Sequence, residues 1–181
     1  MCGIVGIQGS QDDSWIEVMN ALQVYRGPDG SGVFRDRDVT LSLAMRRLAI
    51  IDLEGGLQPM SSDDGRYTIV FNGEIFNATE LRKELEVKGV RFQTDHSDTE
   101  VILNAYAFES EDMVKRLNGM FAFVIYDRDR KTLFCARDRS GIKPLYYFDD
   151  GQRFAFASEL KSLLSLPCIE RQVDRQSLFH Y

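Results

Sequence analysis

Histidine is scarce in this chain, and the other residues that build metal and disulfide sites are few and scattered. Only two histidines, His96 and His180, occur among 181 residues. This disfavours a histidine-based metal centre and leaves few candidates for a histidine general base. The three cysteines, Cys2, Cys135 and Cys168, are an odd number, lie far apart and form no CxxC pair. We therefore expect neither a disulfide framework nor a zinc site, and the reducing cytoplasm is the default compartment.

Long apolar runs and basic clusters are also missing. No window approaches the roughly 18 consecutive apolar residues that a membrane span needs. Asp12 and Asp13 come before the apolar core of a signal peptide could form. The net charge is −6, the pI is about 5.0, and no Lys/Arg cluster resembles a phosphate-binding stripe. We expect no membrane segment and no nucleic-acid partner.

What is present suits one globular domain with a substantial core, because 44% of the residues are hydrophobic and 28% are charged. The pattern predicts a buried strand in "GIVGIQ", a helix from residue 13 or 14 to about 25, and a loop in "RGPDGSG". A strand in "VTLSLAM" and another in "RYTIVFNGEIFN" follow. Asn77 then begins a helix, with Glu80 as its reciprocal capping partner, and "TEVILNAYAF" forms a second.

The last third of the chain is rich in strand-like runs. "MFAFVIYD", "KTLFCARD", "PLYYF" and "RFAFAS" are aromatic and β-branched, are joined by turns and predict an antiparallel meander, after which "ELKSLLSL" closes as a helix. Strands at both ends with helices between them predict an α+β fold of two packed antiparallel sheets flanked by helices.

Cys2 follows the initiator methionine directly and precedes the first strand. Removal of Met1 would leave a thiol and a free α-amine on the same residue. An α-amine has a pKa of roughly 7.7–8.0, which suits a base that takes the thiol proton at neutral pH. The alternative is a small buried residue in an N-terminal strand.

Asn72 and Gly73 stand where the strand in "RYTIVFNGEIFN" is predicted to break. An Asn side-chain amide and the next backbone N–H are two donors that can point at one oxyanion, as acyl transfer requires. The alternative is a type I′ hairpin turn, for which Asn-Gly is a strong signal.

Two charged residues suggest a site for a free amino acid. Arg47 lies in an apolar stretch, where it or Arg46 must point away from solvent, and a guanidinium there can clamp a carboxylate. Asp98 lies at a helix start and can bind an ammonium group. The alternatives are a surface or structural ion pair for Arg47 and a helix cap at Ser97 or Asp98.

The order of motifs along the chain resembles a known family. "MCGIVGI", "RGPDGSG", "RLAIIDLEGGLQPM", "FNGEIFN", "SDTEVIL", "GMFAFVIYD", "ARDRSGIKPLYY" and "FASELKSLL" resemble the glutaminase domain of glutamine-dependent asparagine synthetases, which are class II glutamine amidotransferases. The resemblance implies a four-layer α-β-β-α sandwich of the N-terminal-nucleophile hydrolase type.

It also implies roles for the matching positions. Cys2 matches the nucleophile, and Asn72 and Gly73 match the oxyanion pair. Arg47 matches the residue that holds the glutamine α-carboxylate, and Glu74 and Asp98 match positions near the α-amino end. The implied glutamine-binding residues are Arg47, Leu48, Ala49, Ile50, Ile51, Asn72, Gly73, Glu74 and Asp98.

The implied reaction is hydrolysis of L-glutamine to glutamate and ammonia through a Cys2 thioester. The ammonia would reach a synthetase domain, where ATP and Mg²⁺ activate aspartate for amidation to asparagine. We expect no cofactor or metal in this chain itself. A sugar carboxylate in polysaccharide assembly is an alternative acceptor, and a non-catalytic binding or regulatory module is an alternative of another class. Homodimer formation is left open.

The chain departs from the family pattern in places. Tyr25 and Met45 stand where the family commonly has histidine. We expect residues 1–168 to form the glutaminase domain. Residues 169–181 would begin a linker to a synthetase domain absent from this chain. The chain would then be an excised domain, which we favour, or a short natural paralogue.

Overall fold

In the computed structural model, residues 1–48, 56–173 and 175–179 are described. Their strands are β1 (Gly3–Gln8), β2 (Gly30–Asp36), β3 (Leu41–Arg47), β4 (Met60–Ser61), β5 (Tyr67–Ile75), β6 (Gly119–Asp127), β7 (Thr132–Arg137), β8 (Tyr146–Asp149) and β9 (Phe154–Ala157). Their helices are α1 (Ser14–Ala21), α2 (Ala78–Val87), α3 (Asp98–Glu109), α4 (Leu160–Leu163) and α5 (Arg175–Phe179), with a 3₁₀ helix at Ser110–Arg116.

The strands form two antiparallel sheets. The first sheet has the order β2-β3-β1-β9-β8, and the second has the order β4-β5-β6-β7. The predicted strand at the N-terminus is confirmed as β1, which lies in the middle of the first sheet and pairs with β3 on one side and β9 on the other. Burial on both faces explains why its sequence is apolar almost throughout instead of alternating.

Three apolar clusters separate four layers. The first packs α1 and α4 on the outer face of the first sheet through residues such as Ile16 and Leu163. The second lies between the sheets, where Ile4 meets Val70, and the third packs α2 and α3 on the second sheet around Ile102. The predicted α-β-β-α sandwich is therefore confirmed.

The predicted single meander after Gly119 is wrong. β6 and β7 form a hairpin in the second sheet, whereas β8 and β9 form a hairpin in the first. The segment between β7 and β8 crosses from one sheet to the other. Each hairpin buries its own apolar face in a different cluster, and strand-like patterning carries no information about which sheet a strand joins.

Other boundaries also differ from the predictions. "RGPDGSG" is not all loop, since β2 begins at Gly30. α1 ends at Ala21, short of the expected residue 25, and α4 has four residues. Asn77 precedes α2 as expected, but it makes no side-chain cap. Its side chain instead donates to the Arg116 carbonyl and accepts from the Asn118 N–H, so the predicted reciprocal cap with Glu80 is wrong.

Among the described residues, no helix is long and apolar enough to cross a membrane.

Candidate active site

Cys2 lies at the N-terminal end of the central strand β1, so its backbone is fixed by the first sheet. Gly3 pairs with Arg46, and the Cys2 carbonyl accepts a hydrogen bond from Arg26 Nε at 3.0 Å. Arg26 is itself paired with Glu159 at 2.7 Å. The Cys2 side chain packs at the edge of the cluster between the sheets, and its thiol donates to the Leu48 carbonyl at 3.7 Å. The thiol therefore points into the space between the sheets.

Asn72 and Gly73 lie inside β5, not at its end. The pairing with β6 continues through both residues to Ile75, which faces Gly119, so the predicted strand break and the alternative hairpin turn are both wrong. Asn72 lies on the same face of β5 as Val70, toward the first sheet, and is 1% exposed. Its Nδ2 atom is buried and has no hydrogen-bond partner in the described part of the chain. An unsatisfied buried donor of this kind is rare in folded proteins and calls for an explanation.

The backbone N–H of Gly73 faces away from β6. Phe121, its partner on β6, uses its own N–H and carbonyl to bond Asp138 on the far side. On the free edge of β5, the Phe71 N–H donates to Gln58 Oε1 at 2.6 Å and the Ile75 N–H donates to Asp98 Oδ2 at 3.1 Å. Because alternate N–H groups of a strand share an edge, the Gly73 N–H lies between these two bonds.

Position 73 also requires glycine for steric reasons. A Cβ atom there would lie 2.3 Å from the Met120 carbonyl oxygen and 2.7 Å from Phe121 Cα. Both are backbone atoms of the paired strand, so they cannot move aside without distorting the sheet. The close approach of β5 and β6 therefore fixes the position of the Gly73 N–H.

A cavity of about 130 Å³ opens where the ends of the two sheets meet. Seven of the residues predicted for the site line it: Cys2, Arg47, Leu48, Asn72, Gly73, Glu74 and Asp98. The other three, Ala49, Ile50 and Ile51, lie outside the described residues. The structure thus brings the candidate nucleophile, oxyanion donors and ligand-binding charges to one cavity, while their roles stay predictions.

Because successive side chains of β3 point to opposite faces of the sheet, only one of Arg46 and Arg47 can face the cavity. Arg47 is buried, at 9% exposure, and lines the cavity. Arg46 points to the other face, where its Nε donates to the Asn20 carbonyl at 3.3 Å. The loop before β2 packs on this end of β3, since a Cβ on Gly27 would lie 2.5 Å from the Arg47 nitrogen.

Asp98 is the first residue of α3, and Ser97 caps the helix by accepting from the Glu100 N–H at 3.4 Å. Ser97 is thus the cap, which leaves the Asp98 carboxylate for other contacts. Burial raises the pKa of Asp98 to about 6, and the nearby Glu74 carboxylate adds to the rise, while hydrogen bonds from the Ile75 and Thr99 N–H groups oppose it. Two acidic groups in one cavity favour a cationic ligand.

Several cavity and support residues were not singled out from the sequence. Gln58 links the Phe71 N–H to the Thr99 hydroxyl, which lies 3.2 Å from its Nε2 atom, and thus ties β5 to α3. Lys143 and Met120 line the cavity, and Arg26 holds the Cys2 carbonyl. Gln58, Arg26 and Lys143 stand in the quoted motifs "GLQPM", "RGPDGSG" and "GIKPLYY", which was the available signal.

The two departures from the family pattern lie away from the cavity lining. Tyr25 is 89% exposed, and its ring lies 5.7 Å from Lys161 Nζ. Met45 is buried in the cluster between the sheets. Among residues 1–48, 56–173 and 175–179, no group of three or more His, Cys, Asp and Glu side chains is arranged to hold a metal ion.

The comparisons with known proteins agree with this geometry. Two face-to-face antiparallel sheets, with a central N-terminal strand that begins beside a cavity, are the architecture of the N-terminal-nucleophile hydrolases. The model of the glutamine amidotransferase domain family matches residues 1–181. The chain belongs to this family.

Among curated proteins, the chain is 45% identical to asparagine synthetase [glutamine-hydrolyzing] 1 of Bacillus subtilis strain 168, covering 100% of this chain and 29% of that protein. It is 43% identical to asparagine synthetase [glutamine-hydrolyzing] 3 of the same organism, covering 98% and 30%. The chain therefore spans about three tenths of the length of these relatives.

Solved structures share the fold. One is glutamine phosphoribosylpyrophosphate amidotransferase from B. subtilis with ADP and GMP, with a TM-score of 0.73 and 24% identity. Another is described as the allosteric regulatory enzyme of purine biosynthesis, with a TM-score of 0.72 and 26% identity. Each match covers 90% of this chain and 43% of the other. The 24% match is evidence for the fold alone.

Proposed function

We propose that this chain hydrolyses the side-chain amide of L-glutamine to glutamate and ammonia, with Cys2 as the nucleophile. The observation that carries the proposal is the buried Asn72 Nδ2 atom, which has no hydrogen-bond partner among the described residues and belongs to a side chain that lines the same cavity as Cys2. An unsatisfied donor beside a nucleophile is what an oxyanion site requires before substrate binds. The family membership supports the same reading.

The charges of the cavity suit the two ends of a free amino acid. Arg47 would hold the α-carboxylate, since a guanidinium binds a carboxylate through two parallel hydrogen bonds. Glu74 and Asp98 would hold the α-ammonium group. Leu48 would contact the substrate beside Arg47, as would the predicted residues Ala49, Ile50 and Ile51. This arrangement would direct the side-chain amide toward Cys2.

The reaction begins when the thiol proton of Cys2 moves to the neutral α-amine. The thiolate then attacks the amide carbon, and the Asn72 amide and the Gly73 N–H bind the oxyanion that forms. As the C–N bond breaks, the leaving nitrogen takes the proton from the α-ammonium group and departs as ammonia. Water then adds to the thioester, and the Cys2 thiol is restored as glutamate leaves.

This chemistry requires that Met1 be removed. With Met1 present the amine lies one residue away from the thiol, and Met1 itself lines the cavity. Burial lowers the pKa of the Met1 amine. Arg26 and Lys143 lower this pKa further, and Cys2 opposes the change. The same surroundings would favour the neutral amine that the mature Cys2 needs as a base.

The ammonia would be used by a second domain, and we assign it to amidation of aspartate to asparagine. The names of the relatives support this assignment. ATP and Mg²⁺ would bind in that domain, and residues 169–181 would begin the connection to it, leaving residues 1–168 as the glutaminase domain. We assign the reaction to the cytoplasm, which the free cysteines support.

The test is glutamate release from glutamine by the chain and by Cys2→Ala, with intact mass to establish whether Met1 is removed. Cys2→Ala should lose more than about 10³-fold in kcat, because no other group forms the thioester. Cys135→Ala is the matched control, since it removes a thiol on β7 that does not line the cavity. Activity in Cys2→Ala, or in a chain that retains Met1, would overturn the proposal.

A further inference from the structure

The segment between β7 and β8 delivers one buried lysine to the cavity. Lys143 is 6% exposed and lines the cavity together with Cys2 and Asn72. The segment begins at the second sheet and ends at the first, so it bridges the two sheets beside the N-terminus. Lysine is almost never fully buried without a partner, so its presence here needs a reason.

The backbone around Lys143 is held on both sides. The Asp138 carboxylate accepts the N–H groups of Ser140, Ile142 and Lys143 at 3.1, 2.9 and 3.0 Å. From the other side, Arg137 Nε donates to the Lys143 carbonyl at 2.7 Å. These bonds fix the backbone of the loop, and the Lys143 side chain lines the cavity from this fixed position.

The Lys143 ammonium differs from the Arg26 guanidinium, which contacts the Cys2 carbonyl. Arg26 already bonds the Cys2 carbonyl and is neutralised by Glu159. Among the described residues, the Lys143 ammonium makes no hydrogen bond or ion pair, and its positive charge lowers the pKa of the Met1 amine. Lys143 is thus the less compensated of the two positive charges.

We propose that Lys143 is a positioning residue for the N-terminal nucleophile. The positive charge of Lys143 disfavours the form of Cys2 in which both the amine and the thiol are protonated. This inference rests on the proposed role of Cys2. The mature residue carries two coupled groups, an amine and a thiol, which titrate as a pair. It is reactive when the pair holds one proton and unreactive when it holds two. Only the form with two protons bears a net positive charge. A nearby cation therefore disfavours that form relative to the form with one proton, whether the single proton lies on the amine or on the thiol.

Other charged groups act on the same pair and must stay unchanged in the test. With Met1 in place, Arg26 and Lys143 lower the pKa of the Met1 amine and Asp29 raises it, and we expect the same signs at the Cys2 amine once Met1 is removed. Across the cavity, Arg47 on β3 adds positive charge, and Glu74 on β5 and Asp98 on α3 add negative charge. Removing Lys143 alone leaves all of these in place.

The experiment measures the rate at which iodoacetamide alkylates Cys2 between pH 5.5 and 9, with the modified peptide identified by mass. The reagent is uncharged, and no glutamine is present, so substrate-binding charges do not enter. Lys143→Met should raise the midpoint by about one pH unit, the lower end of the usual effect of a neighbouring charge. Alkylation should be about tenfold slower below the midpoint and converge with the parent rate at high pH. Lys143→Arg should retain the parent midpoint.

Lys83→Met, an exposed lysine on α2, is the matched control and should change nothing. Intact mass must show Met1 removed in every variant. An unchanged midpoint in Lys143→Met, or an equal loss of rate at every pH, would overturn the inference. If the midpoint is unchanged while Cys2→Ala is inactive, the inference fails and the proposed function stands. If Cys2→Ala is active, the proposed function fails.

Discussion

The two sheets bring different kinds of groups to the cavity. The first sheet supplies Cys2 and Arg47, which lie at the ends of the adjacent strands β1 and β3. The second supplies Asn72 and Gly73 from the middle of β5, with Asp98 bonded to the edge of the same strand. On the proposed mechanism, the first sheet forms the covalent bond and holds the carboxylate, while the second stabilises the charge that develops during the reaction.

This division explains how each side is supported. Cys2 and Arg47 lie at the ends of strands, so they need contacts from outside the first sheet, such as the Arg26 bond to the Cys2 carbonyl. The Asn72 amide lies on a strand that pairs with β6 through its whole length, and its buried Nδ2 atom has no hydrogen-bond partner in the described part of the chain. A donor held this way costs no reorganisation when the oxyanion forms. Substitutions on the two sheets should therefore have different kinetic signatures.

The largest contrast is expected at Asn72 on the second sheet. Asn72→Ala should lower kcat for glutamine hydrolysis by about 10²–10³-fold with little change in KM, since the amide acts on the oxyanion and not on bound substrate. Steady-state kinetics of glutamate release measure this. Asn118→Ala, at an exposed asparagine before β6, is the control. An equal rise in KM would mean that Asn72 binds the ground state instead.

A smaller effect of the opposite kind is expected at Arg47 on the first sheet. Arg47→Lys should raise KM by roughly tenfold or more and change kcat less, because a lysine cannot reproduce the bidentate contact with a carboxylate. Arg91→Lys, at an exposed arginine, serves as the control. If kcat fell and KM did not change, the proposal that Arg47 of the first sheet binds the α-carboxylate of glutamine would be wrong.

A third effect is a pH dependence of KM that comes from Asp98, and it reaches the size expected for Arg47→Lys only about one pH unit below the pKa of Asp98. Its pKa of about 6 means that the carboxylate is lost as the pH falls through 6, so KM should rise by about tenfold per pH unit below that value. Asp98→Asn should raise KM at pH 8 and abolish this dependence. A parent KM that stays constant between pH 5 and 7 would contradict the role of Asp98 in binding the ammonium group.

The same shift has a consequence for stability. A carboxylate with a raised pKa in the folded state destabilises the fold as the pH rises from about 4 through 6, because the unfolded chain releases the proton more readily. Asp98→Asn should therefore raise the free energy of unfolding by about 3 kcal/mol at pH 7.5, and by less as the pH is lowered below 6. Urea unfolding at the two pH values measures the difference. An equal gain at both would point to a cause other than ionisation.

Much of this molecule can be predicted from its sequence, and the exceptions have a common physical origin. The layers and the cavity residues outside 49–55 follow from local patterns and ordered motifs, as at Cys2 and Asn72. The division of the last four strands between two sheets does not, because it depends on contacts between distant segments. The buried Lys143 is missed for the same reason, since its burial is produced by a loop that crosses the sheets.

The Arg26 bond to the Cys2 carbonyl and the position of Met1 at the cavity have a practical consequence for anyone preparing this protein. The chain leaves the first sheet at Cys2, so a peptide fused to the N-terminus would lie at the cavity. On the proposed mechanism, such a peptide would convert the basic amine of Cys2 into an amide. An affinity tag at that end should yield a folded but inert protein. It regains function only if a protease cuts directly before Cys2.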